Sequence, residues 1–211
     1  MHPELKHIES LRAQGNVIPV YKSVIADFLT PVSAFLKLEK DQPYAFLLES
    51  VEGGETVARY SFLGCNPFLV SRCRHEDSAG YLENLRKTMS RFKSVKLPGL
   101  PPFTGGAVGY FGYDMVRVIE QIPATGRDDL NIDDAALMFY KTILAFDHLK
   151  HQIHIISNLL VDESQESMEA QYAAAVEEIA RIERLLQAPL EPPHATRSEE
   201  HTSELQSRGL I

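Results

Sequence analysis

Tryptophan is absent from this 211-residue chain, and cysteine is nearly so: Cys65 and Cys73 stand alone, with no Cys-x-x-Cys spacing. Two isolated thiols read as reduced cysteines of a cytoplasmic protein, not as a disulfide framework. Positive charge is also scarce. Lys and Arg total 21 against 29 Asp and Glu, a net charge of −8, which excludes the basic stripe of a nucleic-acid surface. Long apolar runs are missing too. The longest, such as Ala45-Phe46-Leu47-Leu48, are strand-sized and far too short to span a bilayer. Lys6, His7, Glu9 and Arg12 interrupt any apolar stretch of a signal peptide. These absences predict a soluble cytoplasmic domain with neither nucleic-acid nor membrane partners.

What is there alternates short helices with β-rich segments. Leu5, Ile8 and Leu11 mark a first helix, with Gly15-Asn16 as its stop signal. Residues 17–22 read as extended, and Pro19 makes them an edge strand. Thr30-Pro31 opens a second helix as N-cap and first-turn proline, with Val32, Phe35 and Leu36 as its apolar face. Residues 44–48 and 57–63 predict a hairpin that turns at Gly53-Gly54. Leu82, Leu85, Met89 and Phe92 recur at helical spacing, and a connector with three prolines follows at 96–103.

The strongest β signal covers 136–146 and 152–160, two runs joined by a polar turn at 147–151. Met168, Tyr172, Val176, Ile179, Ile182 and Leu186 then predict a helix of about six turns. Its acidic residues Glu169, Glu177, Glu178 and Glu183 read as a solvated face, with Arg181 and Arg184 interspersed. Strands in runs with helices at intervals, lacking a regular βαβ alternation, predict an α+β fold of antiparallel sheets with flanking helices.

Two motifs are set aside. Residues 105–112 are glycine-rich but lack both the Gly-Lys-Ser/Thr ending of a phosphate loop and the spacing of a dinucleotide turn. They read as a strand that needs close backbone approach. His148, His151 and His154 are spaced by three, but in a hairpin that spacing does not gather side chains on one face. His154 alternates with Ile153 and Ile155 and is expected to face solvent. No metal site and no catalytic residue is assigned.

One cluster does suggest binding. Leu48-Glu49-Ser50 ends a strand, and Arg59 lies on the returning one. A carboxylate and a hydroxyl at a strand end can hold an ammonium group, with the apolar strand as a wall for the rest of the ligand. The plainer reading is a cross-strand surface pair between Glu49 and Arg59.

The strings FLLESVEGGE at 46–55, ARYSFLG at 58–64, PPFTGGAVGYFGYD at 101–114 and DHLK at 147–150 together resemble the N-terminal domain of anthranilate synthase component I. They fall in the family's order across most of residues 15–187, although 72–80 is shorter than the family leads one to expect. The resemblance implies a parent enzyme that converts chorismate and ammonia to anthranilate and pyruvate in tryptophan biosynthesis. It implies magnesium bound by a C-terminal catalytic domain, and ammonia supplied by a glutamine amidotransferase subunit. It also implies feedback by tryptophan, with Leu48, Glu49 and Ser50 as contacts and Ser50 the foremost of them. Aminodeoxychorismate synthase component I is the alternative within the superfamily. A non-catalytic amino-acid-binding or subunit-docking module is the alternative outside it.

By this reading residues 1–187 form the N-terminal domain, and 188–196 begin an inter-domain linker rich in proline. Residues 197–211 are a non-native or disordered tail, polar and aperiodic, that reads like translated sequencing adapter. The catalytic C-terminal domain is absent, no cofactor is bound, and the fragment is expected to be inactive alone.

Overall fold

The computed structural model describes residues 1–49, 59–74, 80–118, 120, 122–123, 130–161 and 166–190. The elements run α1 (Leu5–Arg12), β1 (Val17–Ile25), α2 (Pro31–Leu38), β2 (Ala45–Leu48), β3 (Tyr60–Cys65), β4 (Leu69–Cys73) and α3 (Tyr81–Ser90). β5 (Gly106–Phe111), a 3-10 turn (Tyr113–Val118), β6 (Ala135–Tyr140), β7 (Thr142–Asp147), β8 (Gln152–Leu160) and α4 (Met168–Gln187) follow. The strands build two antiparallel sheets, one of order β1-β8-β7-β3-β2 and one of order β4-β6-β5. The architecture is α+β, as expected.

The residues 136–146, read as one β run, are two strands in different sheets. β6 pairs with β4 and β5, while β7 pairs with β3 and β8. Lys141 is the step between them, and Tyr140 just before it is 1 % exposed. Both strands are apolar because each is covered, so composition alone does not mark the break.

One face of the five-stranded sheet carries Val20, Leu63, Leu144 and Ile155, and against it pack Ile8 of α1, Ala34 and Leu38 of α2, and Ile179 and Ile182 of α4. Removing a side chain of this size from water stabilises the fold by about 1.5–3 kcal/mol. The other face carries Phe46, Ile143, Ala145 and Ile156, against Phe103, Val108 and Met138. The five-stranded sheet is therefore covered on both sides, and β8 is buried at every position from Ile153 to Leu159.

The helices dock by polar as well as apolar contacts. Thr30 and Ser33 form a reciprocal capping box on α2, but its buried residues are Pro31, Ala34 and Leu38. The expected face of Val32, Phe35 and Leu36 is only half right, since Val32 and Leu36 are exposed and Phe35 is partly buried. Lys37 donates to the carbonyls of Leu186 (2.6 Å) and Ala188 (2.7 Å), a cation on the negative end of α4. Gln171 is 2 % exposed; it accepts from Leu160 N–H and donates to Glu166 O. Glu183, expected to be solvated, holds Lys22 of β1 at 2.6 Å.

Pro19 does sit on an edge strand, for β1 ends the sheet. His2 and Ser94 each form an isolated bridge along it. Gly15 does not cap α1, whose C-cap is Ala13. A Cβ there would meet Lys93 O at 2.3 Å, so the glycine permits a close crossing. The turn at Gly53-Gly54, the loop at 75–79 and the tail at 197–211 lie outside the described residues. No helix among the described residues is long and apolar enough to cross a membrane.

Gly109 tests the tight contact inside the smaller sheet. A Cβ at this position would sit 1.9 Å from Ala136 O, so Gly109→Ala must push β5 from β6. The expected loss is about 1–3 kcal/mol, read as a lower urea midpoint; an unchanged midpoint contradicts the pairing.

Candidate functional site

β2 carries Leu48 and Glu49 to one end of the five-stranded sheet, and among the described residues its only ladder partner is β3. Leu48 pairs with Phe62, and Tyr60 stands one pleat further along on the same face. Leu47, Leu48, Glu49, Tyr60 and Phe62 line an open recess of about 310 Å³. Leu48 is 50 % exposed and Glu49 is exposed beside it. Phe62 makes an edge-to-face contact with Phe103 at 5.4 Å. The structure thus brings together two of the three sequence-predicted contacts, and the third, Ser50, lies outside the described residues.

Arg59 does not pair with Glu49. It makes a two-pronged contact with Asp147, Nη2 to Oδ2 at 2.7 Å and Nε to Oδ1 at 3.2 Å. Its guanidinium also lies 4.9 Å over the Tyr60 ring. The reason is register: Tyr60 sits opposite Asp147 on β7, whereas Glu49 has already left β2. Asp147 is 1 % exposed, and its Oδ1 also accepts from the N–H groups of Leu149 and Lys150, each at 3.1 Å. Burial pushes this carboxyl up. The hydrogen bonds from Arg59 and Lys150, with the charges of both residues, outweigh that and hold it below its ordinary value.

The histidines are separate structural groups. His148 Nε2 lies 2.7 Å from the hydroxyl of buried Ser61, and His148 N–H donates to Arg59 O. His154 is 4 % exposed, not solvated as expected; the Tyr21 ring of β1 meets its ring edge-on at 6.2 Å. Its Nδ1 is 2.8 Å from Ser23 Oγ, and burial pushes its pKa down. No three His, Cys, Asp or Glu side chains among the described residues come together as a metal site requires. Cys65 and Cys73 are not joined in a disulfide, and burial raises the pKa of Cys65, which disfavours a thiolate.

Residues 43–209 match the family model described as chorismate binding enzyme. The chain belongs to the chorismate-binding enzyme family. It is 41% identical over 196 residues to "Anthranilate synthase component 1" of Acetivibrio thermocellus, covering 87% of this chain and 39% of that protein. To the protein of the same name from Synechocystis sp. it is 37% identical over 208 residues, covering 92% and 41%. The crystal structure of anthranilate synthase component I from Streptococcus pneumoniae TIGR4 is similar at a TM-score of 0.52 and 27% identity, covering 79% of this chain and 37% of that one. This family member spans about two fifths of the length of the curated relatives it matches.

Asp147→Asn tests the pinning of this end of the sheet. It keeps the side-chain shape and removes the charge, so the variant is expected to melt below the wild type at neutral pH. The folded-state pKa lies below the ordinary 3.8, so the carboxylate's contribution is full above that value and is lost as pH falls through the folded pKa. The two melting curves should converge in acid. A gap that persists into strong acid contradicts this role.

Proposed function

We propose that this chain is the tryptophan-binding regulatory portion of an anthranilate synthase large subunit. The complete enzyme would convert chorismate and ammonia to anthranilate and pyruvate. A glutamine amidotransferase subunit would supply the ammonia, and magnesium would be held by the part of the relatives' length that this chain does not span. The residues described here do not gather a metal-ligand set, so no step is assigned to them through that ion. Alone, the chain would bind no cofactor and catalyse nothing.

The observation that carries the reading is the recess at the end of β2. Leu48, Tyr60 and Phe62 give it an apolar lining with two aromatic rings, suited to an indole ring. Glu49 at its rim supplies a carboxylate for an α-ammonium group, and Ser50 follows directly with a hydroxyl. Family membership and the named relatives support the same reading.

The recess is open on one side, so a ligand bound there has one face left to cover. Covering it with the remainder of the enzyme makes tryptophan a bridge between two bodies. Such a ligand favours whichever placement of the two buries it better, and it inhibits by that difference in affinity alone.

In a chain of the relatives' full length, Ser50→Ala should weaken tryptophan binding measured by calorimetry. Loss of a hydrogen bond to a charged ligand group predicts a change of about tenfold to a hundredfold. Unchanged affinity contradicts the assignment.

A further inference from the structure

A cavity of about 340 Å³ lies between α4 and the end of the five-stranded sheet remote from Leu48. Cys65 at the end of β3, Thr142 at the start of β7 and Ser157 of β8 line it from the sheet. Cys65 is three residues along β3 from Phe62, about 10 Å, and an odd step places it on the opposite face from the Leu48 recess. Ala174, Glu178 and Arg181 line the cavity from the helix, spaced by four and three along one face of α4.

Charge is uneven in this lining. Glu178 is the one carboxylate among the described residues that line it, and Arg181 takes both of its oxygens, Nε to Oε2 at 2.7 Å and Nη2 to Oε1 at 2.8 Å. The hydroxyls of Thr142 and Ser157 satisfy each other at 2.9 Å. Lys141 is left over. It is half-buried at the step between the two sheets, and no described residue pairs with its ammonium group. Two cations therefore meet one carboxylate, a local surplus of one positive charge in a chain whose net charge is −8.

Both cations can reach a ligand. The Arg181 side chain is 45% exposed, and its Nη1 takes no part in the contact with Glu178. The four-carbon stem of Lys141 is flexible and brings its ammonium to a bound group. Pro67, Phe68, Ala174 and Ala175 supply apolar surface beside these charges. A cavity of this size, with an apolar wall and a few polar groups, has the general form of a small-molecule site. One surplus charge matches a monoanion better than a phosphate dianion.

We propose that this cavity binds a small monocarboxylate with an apolar body. The carboxylate sits at Lys141 with Arg181 beside it, and the hydrocarbon part lies against Phe68 and the two alanines of α4. The site is independent of the recess at Leu48.

Benzoate and benzamide have nearly the same shape, and only benzoate is charged. The test is titration of the isotope-labelled 211-residue chain with each, following the backbone amides of Asn66, Lys141, Thr142, Ala174 and Ala175 by NMR. Benzoate is expected to shift these signals saturably, at a concentration about tenfold or more below that needed for benzamide. Lys141→Gln is expected to abolish the preference. If that variant does not fold, added salt decides: it should weaken benzoate binding and leave benzamide unchanged. Equal binding of the two would overturn the proposal in favour of an uncharged cavity, and no binding of either would overturn it outright. Inorganic phosphate shifting the same signals at a lower concentration than benzoate would overturn the choice of a monocarboxylate. Benzoate shifts confined to Leu48, Tyr60 and Phe62 would overturn the site while leaving the recess intact.

Discussion

Everything at the Leu48 end of the five-stranded sheet depends on one buried carboxylate. Asp147 receives two hydrogen bonds from Arg59 and two from the turn that follows it. The first pair ties the start of β3 to the end of β7, and the second closes the turn into β8. Among the described residues β2 forms a ladder with β3 only, so the register of Leu48 is inherited from this anchor. A buried ion pair gives little net stability over an apolar substitute, but breaking one partner is costly. Its value here is that of a register pin. Slipping β3 by one residue would remove Arg59 from Asp147 and send Leu48 and Phe62 to opposite faces.

The same pin explains why two short strings recur together in this chain. ARYSFLG supplies Arg59 for Asp147 and Ser61 for His148, while DHLK supplies both partners. They are two halves of one hydrogen-bonded corner, 87 and 88 residues apart in sequence. The glycine-rich strand belongs to the other sheet, where Gly109 lets β5 lie directly on β6.

Much of this fold can be read from periodicity. The long helix α4, the β7–β8 hairpin and the β2–β3 pairing follow from patterns of two or of about four, and the edge position of β1 from Pro19. The misreadings have physical causes. Alternation fails for β8 because it is buried from Ile153 to Leu159, with His154 held beside Tyr21 and Ser23 of β1. The change of sheet at Lys141 is hidden because the strands on both sides are equally apolar. β4 escapes notice as a short strand bearing Arg72. Gln171 and Asn158 are buried for their hydrogen bonds, which hydrophobic spacing does not register. At the candidate site, the strand-end position of Leu48 and Glu49 is visible in the sequence, whereas the partner of Arg59 required the register.

The central claim is that the end of β2 and the facing rings of β3 form one side of an indole amino acid's binding pocket. A crystal structure of a chain with the relatives' full length, grown with tryptophan, addresses it directly. The account predicts electron density for the indole against Leu48, Tyr60 and Phe62, with the ammonium group at Glu49. Tryptophan bound elsewhere, or that recess filled by the protein's own side chains, would contradict it.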